Sequence, residues 1–269
     1  MMYRLYFLKG TKDYVIRELK EKFPDIVVNG ESNGYLEFNY DVSNIEEFRK
    51  IKSCIAVEDG NRRIDLSKRE WRKEFVPAGI NPCLAYIMCM IGGVNSNSII
   101  YDPFCGAGVI PITALLYFNC KRVICSDRSR VAIEKSRINF GNANIDKCKY
   151  ILFQSDICSV KLKKRNVDLI ISNLPFGIRV GSHNENIEAY QCLEKVAHKI
   201  LRRKGKLVLL TQEKKLLLKT FNKGTWKCKS VISTDEGGLS PDIFVIEKRY
   251  SENKMGDTGL EPVTSTMSM

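Results

Sequence analysis

Apolar positions follow two different rhythms along the chain. Residues 3–8 are aromatic and aliphatic, and 12–22 place Tyr14, Val15 and Leu19 at helical spacing among Lys and Glu. Residues 26–29 and 34–39 then read as strands joined at Asn33-Gly34. This predicts a small β-α-β-β module over residues 1–75. From about residue 79 strand and helix alternate: helix 82–91, strand 98–102, helix 107–118, strand 122–126, helix 129–140, strands 149–153 and 167–172, helix 185–203, strand 206–211, helix 213–221, and strands 226–233 and 242–248. Such alternation implies parallel strands with crossover helices and a doubly wound sheet. Only Thr234 to Pro241, with Gly237-Gly238, separates the last two strands, so they close the sheet as an antiparallel hairpin. The expected fold is α/β, a seven-stranded mixed sheet over 76–250 beside a small α+β module at 1–75. The polar, aperiodic segment 251–269 is expected to lack fixed structure.

Composition narrows the class. With 44% hydrophobic and 28% charged residues and no apolar run of about 20, the chain is expected to be a soluble globular protein without a membrane span. Its N-terminus lacks the apolar centre and cleavage site of a secretory signal. Ten cysteines in 269 residues, with no C-x-x-C pair, are too sparse for a disulfide scaffold and are expected as reduced thiols in a cytoplasmic protein. No metal site is expected: Cys120 and Cys125 stand five apart, and only His183 and His198 could complete a set. Net charge is +12, and the excess is local: 27 basic against 14 acidic side chains over 76–250, but 15 against 14 over 1–75. That balance suits a polyanionic partner, or solubility alone.

Four strand ends carry candidate chemistry. After the first core strand, Asp102-Pro103-Phe104-Cys105-Gly106-Ala107-Gly108 leads into a helix, where Gly106 and Gly108 let a ligand approach the backbone and the helix start favours a carboxylate. Asp102 would repel a pyrophosphate but suits the ammonium of an amino-acid-bearing cofactor. Asp127 ends the second strand, about 20 residues after the glycine turn, where a carboxylate accepts from ribose hydroxyls or caps the next helix. Asp156 repeats the logic after the third strand, with an adenine amino group as donor. The fourth strand ends in Asn173-Leu174-Pro175-Phe176-Gly177-Ile178-Arg179. A carboxamide and backbone carbonyls there can accept from an exocyclic amine while the Phe176 ring stacks on its base.

With these motifs in order, residues 76–250 resemble a Rossmann-like class I S-adenosylmethionine-dependent RNA methyltransferase of the RNA methylase group. Asn-Leu-Pro-Phe-Gly-x-Arg-x-Gly is similar to the motif of THUMP-type tRNA guanine-N2 methyltransferases acting in the acceptor stem. Lys68 to Arg72, Pro77-Ala78-Gly79-Ile80-Asn81-Pro82 and Gly237-Gly238-Leu239 extend the likeness. The resemblance implies S-adenosylmethionine as cofactor, held by Pro77, Ala78, Ile80, Asp102, Phe104, Cys105, Gly106, Gly108, Asp127, Arg128, Asp156, Ile157 and Asn173. It implies a reacting amine held by Asn173, Leu174, Pro175 and Phe176, and structured RNA, foremost tRNA, as substrate. Arg179, Arg72, Lys163 and Lys164 are the expected RNA contacts. A ferredoxin-like segment fits in residues 1–75 but a complete THUMP domain does not, so a partner protein for RNA docking is one expectation. The same clamp serves an rRNA guanosine, adenine-N6 of DNA or RNA, or protein glutamine, and a basic RNA-binding protein without catalysis is the alternative outside the enzymes.

Overall fold

A computed structural model describes residues 1–32, 34–41, 44–176, 183–221, 224–235 and 238–249. The N-terminal part is built from β1 (Met2–Tyr6), α1 (Lys12–Lys22), β2 (Val27–Glu31), β3 (Tyr35–Asn39), β4 (Ala56–Glu58) and β5 (Arg63–Asp65), with a 3-10 turn at Ile45–Lys50. Its sheet has five strands in the order β2-β3-β1-β4-β5, where three were expected. The two additional strands are three residues long, and their alternation is too brief to register as a period. They exist because β1 has a second free edge: Arg4, Leu5 and Tyr6 pair with Glu58, Val57 and Ala56. One face buries Leu5, Val15, Leu19, Leu36, Phe38 and Phe48.

The larger sheet follows α2 (Pro82–Gly92) with β6 (Ile99–Asp102), α3 (Val109–Phe118), β7 (Arg122–Asp127), α4 (Arg130–Asn142), β8 (Tyr150–Gln154), β9 (Val167–Asn173), α5 (His183–Ile200), β10 (Leu201–Thr211), α6 (Lys214–Phe221), β11 (Trp226–Ser233) and β12 (Asp242–Lys248). Its order is β11-β12-β10-β9-β6-β7-β8. Strands β8, β7, β6, β9 and β10 run parallel, and β12 lies antiparallel between β10 and β11. This is the doubly wound mixed sheet with a closing hairpin that the pattern predicts. The parallel order reverses between β6 and β9, which opens a crevice at their carboxyl ends.

Helix α2 shows why an almost wholly apolar helix is stable here. Asn81 caps its start through Cys83 N–H, Pro82 occupies the first turn, and Gly93 at φ 65° ends it. One face packs on the sheet, and Cys83 Sγ on another side donates to Cys54 O of the small module at 2.9 Å. The buried Arg69 guanidinium donates to Leu66 O and Lys52 O and stands 5.8 Å from the Tyr117 ring of α3, which takes it across the junction.

Two expectations are corrected. The helix expected to reach residue 203 stops at Ile200, because Arg165 N and Asn166 N bond Lys199 O and Ile200 O and Leu201 pairs with Val167 as strand. Arg202 and Arg203, read as its last residues, belong to β10, as does Lys204. Cys158 and Cys192 form a disulfide rather than free thiols: the chain after β8 crosses α5 and brings their Cα atoms to 5.0 Å. No described helix is long and apolar enough to cross a membrane. The segment 251–269 lies outside the described residues.

Candidate active site

The crevice at the carboxyl ends of β6, β7, β8 and β9 is a cavity of about 580 Å³, within the range of small-molecule sites. Asp102, Phe104, Cys105 and Gly106 line it from β6, Asp127 and Arg128 from β7, Asp156 and Ile157 from β8, and Asn173, Leu174, Pro175 and Phe176 from β9. Pro77, Ala78 and Ile80 line it from the segment preceding α2, and Leu239 from the hairpin.

The glycine turn is braced rather than loose. Gly106 N donates to Asp127 Oδ2 at 3.0 Å and Cys105 N to Ser126 O at 3.0 Å, so the turn after β6 is tied to the end of β7. Gly106 and Gly108 adopt φ of 52° and 82°, values that favour glycine. Gly108 does not line the cavity. A Cβ there would stand 2.6 Å from Ser136 Oγ, so its bare backbone serves the packing of α3 against α4.

Three carboxylates face different demands. Asp102 is buried; its Oδ1 accepts from Ser172 Oγ at 2.6 Å and Phe104 N at 3.2 Å. Burial outweighs these bonds and pushes its pKa up to about 7. Among the described residues, that carboxylate has no cationic partner. Asp127 is also raised by burial, although Oδ1 accepts from Ser129 N and Oδ2 from Gly106 N. The helix cap is Ser129, through Ala132 N–H, with Asp127 bracing that cap residue through its own N–H. Asp156 is exposed, and its Oδ1 accepts from Cys158 N at 2.8 Å.

The end of β9 is fixed on both sides. Leu174 N donates to Leu210 O, and Tyr190 OH donates to Pro175 O at 3.1 Å while bonding Thr211 Oγ1 at 2.7 Å. Asn173 Nδ2 donates to Ala78 O at 3.0 Å. Ala78 holds a φ of 57°, rare for a residue with a Cβ, and that strain presents its carbonyl to the amide. Asn173 Oδ1 is buried and has no hydrogen-bond partner among the described residues. Such an acceptor costs about 1–3 kcal/mol until a donor reaches it.

Sequence reasoning overlooked several supports. Asn139, inside α4, bonds four backbone groups: Oδ1 accepts from Lys73 N and Glu74 N, and Nδ2 donates to Glu74 O and Ala107 O. It staples the segment before Val76 to the glycine turn. Its sole sequence signal is a polar residue on an otherwise buried helical stripe. Ser172 and Tyr190 were missed because their partners are distant in sequence. Glu185 of α5 meets Arg128 at 3.1 Å across the cavity rim.

The expected RNA contacts separate. Arg179 lies outside the described residues. The Arg72 guanidinium stacks 4.8 Å from the Phe75 ring beside Gly79, outside the cavity lining. Lys163 and Lys164 are exposed before β9, at the opposite edge of the sheet. Seven residues of β9 separate that edge from Asn173, roughly 20 Å at strand rise.

A doubly wound sheet with a buried carboxylate after its first strand, a glycine turn, and an antiparallel strand inserted next to the last position defines the class I methyltransferase fold. Residues 69–241 match the RMKL-like methyltransferase domain, and the chain belongs to that family. A tRNA (guanine(6)-N(2))-methyltransferase, THUMP3, of Bos taurus is 28% identical over 227 residues, covering 78% of this chain and 44% of the relative. A tRNA (guanine(6)-N2)-methyltransferase of Methanocaldococcus jannaschii is 23% identical over 221 residues, covering 68% of this chain and 58% of its own length. The chain thus spans about half the length of these curated relatives. The crystal structure of TrmN from Thermus thermophilus superposes with a TM-score of 0.78 at 15% identity, covering 93% of this chain and 100% of that one.

Proposed function

We propose that this chain methylates the N2 amine of a guanosine in structured RNA, foremost in the acceptor stem of a tRNA, with S-adenosylmethionine as donor. The observation that carries the reading is the unpartnered Asn173 Oδ1, in an amide oriented by Ala78 O and next to the Leu174-Pro175-Phe176 turn. The domain family and the curated relatives, which are tRNA guanine-N2 methyltransferases, support it.

The residues present fit the donor. Asp102, buried without a cation, suits an ammonium, and the N–H groups at the start of α3 suit a carboxylate. Asp127 and Asp156 would accept from ribose hydroxyls and an adenine amine, with Arg128, Ile157, Pro77, Ala78, Ile80, Phe104 and Cys105 around them. When bound, S-adenosylmethionine supplies a methyl group already activated by its sulfonium charge. The chain's task is therefore alignment, and a strong base is not required. Asn173 Oδ1 would accept from the guanine amine and turn its lone pair toward the donor. The Pro175 carbonyl, with one lone pair taken by Tyr190 OH, retains a second for the same purpose. Phe176 would stack on the base, worth about 1–3 kcal/mol. A paired guanosine must leave its helix first, at a cost of a few kcal/mol, which phosphate contacts offset.

Incubation with labelled methyl donor and separate tRNA, rRNA, DNA and protein pools, followed by digestion to nucleosides, tests the reading. N2-methylguanosine from tRNA is the expected product. Label in N6-methyladenosine, in rRNA alone, or in protein would contradict it.

A further inference from the structure

The carboxyl edge of the large sheet holds a second buried acceptor besides the amide of Asn173. Gln212 Oε1, like Asn173 Oδ1, is buried and has no hydrogen-bond partner among the described residues. Its placement follows from the strand order. Strand β10 lies between β9, which ends in Asn173, and β12, which leaves the hairpin that carries Leu239. Asn173 and Leu239 both line the reaction cavity, so the residue after β10 stands at the edge between two of its walls. Alternation fixes the face. Thr211 Oγ1 bonds Tyr190 OH at 2.7 Å, and Glu213 Oε1 bonds His183 Nδ1 at 3.0 Å and accepts from Asn186 Nδ2 at 3.4 Å. Both neighbours of Gln212 thus turn toward α5, and Gln212 turns to the other face. On that face Leu210 and Ile171 pack with α2, and the Asn173 amide reaches Ala78 O. Leu210 stands opposite Asn173 in the parallel register. Gln212 comes two residues later, which puts its Cα roughly 8 Å from that of Asn173 at strand rise and spacing. It stands just behind the cavity lining rather than in it, and its three rotatable side-chain bonds carry the amide across that gap.

Two neighbouring acceptors match one nucleobase edge. Guanine sets its N2 amine beside N1–H, two adjacent donors, whereas adenine sets its amine beside the lone pair of N1. Resting on the guanosine reading above, we propose that Gln212 Oε1 accepts from guanine N1–H while Asn173 Oδ1 accepts from the adjacent N2 amine, so that Gln212 selects guanine over a base whose N1 is an acceptor. Such a base would set lone pair against lone pair and leave a buried acceptor unpaired, which is how a hydrogen-bonding site rejects the wrong partner most strongly.

2-Aminopurine tests this, because it keeps the 2-amine and replaces N1–H by a lone pair. The position at which tRNA gains N2-methylguanosine is located first, and a synthetic copy of that tRNA carries 2-aminopurine there. Methylation of both RNAs is compared as kcat/KM in the full-length parent, in Gln212→Met and Gln212→Leu, which lack the amide, and in Gln212→Glu, which keeps an acceptor. Thermal melting and cofactor calorimetry verify that each variant folds. Comparing the preference between enzymes cancels the analogue's own reactivity. The parent is expected to prefer guanosine by about 100-fold or more. The Met and Leu variants are expected to lose about tenfold on guanosine, with the preference reduced to about tenfold or less, and Gln212→Glu to keep it within a few-fold. A parent-like preference in the variants without the amide would overturn the proposal, as would its equal loss in Gln212→Glu. If the parent forms no N2-methylguanosine in tRNA, the functional reading and this proposal fall together; if it does and the preference stays fixed, the proposal falls alone.

Discussion

At the residue scale, Asp102 makes the site pH-sensitive. Its pKa is raised from the ordinary carboxylate range to about 7, chiefly by burial. A folded state that binds a proton more tightly than the unfolded chain loses stability as pH rises from near 4 to above 7. Asp102 therefore destabilises the ligand-free protein most when ionised, which is the form that suits an ammonium. Cofactor affinity is expected to increase between pH 6 and 8 in titration calorimetry, and Asp102→Asn to bind weakly with a flatter profile. A parent affinity independent of pH across that range would remove Asp102 from the ammonium's partners.

At the element scale, Asn139 decides where the Val76–Ile80 segment sits. Asn139→Ala would strip partners from Lys73 N, Glu74 N, Glu74 O and Ala107 O. The bond to Ala107 O is buried and the other three are part-buried, and a fully buried group left unpaired costs about 1–3 kcal/mol, a part-buried one less. Denaturant unfolding is expected to show a loss of about 2–4 kcal/mol, together with weaker cofactor binding. A loss under about 1 kcal/mol with unchanged affinity would count against the staple. The same residue marks where the sequence is legible and where it is not. Strands β11 and β12 are legible to the residue because each is long, carries β-branched or aromatic residues and borders the turn with Gly237-Gly238. Asp102, Asp127, Asp156 and Asn173 were readable because each ends a predicted strand, and parallel strands end at one edge. Strands β4 and β5 were not, because their existence depends on the free edge of β1 about 50 residues earlier. Asn139, Ser172 and Tyr190 act through partners that no local period announces.

At the scale of the whole molecule, the Cys158–Cys192 bridge joins the segment after Asp156 to the helix that faces the cavity with Glu185 and Asn186. Its sequence separation of 34 residues corresponds to about 4 kcal/mol of unfolded-state entropy in the chain-closure treatment. Cys192→Ser, compared with the oxidised parent, is expected to lower the melting temperature by several degrees. Equal melting temperatures under non-reducing conditions would show that the bridge does not stabilise the fold. The small module meets the larger domain at α2, where Cys83 Sγ donates to Cys54 O, and at the closing hairpin, where Lys9 pairs with Asp235 at 3.4 Å, and none of its described residues lines the reaction cavity.

Asn173 is assigned to the reacting amine rather than to the donor, and the decisive measurement is the split between chemistry and donor binding in Asn173→Ala. Single-turnover methylation of tRNA by the variant is expected to slow by about 100-fold or more, with donor affinity by calorimetry within a few-fold of the parent. Methylation at the parent's rate, or a donor affinity that falls as far as the rate does, would remove Asn173 from the amine's partners.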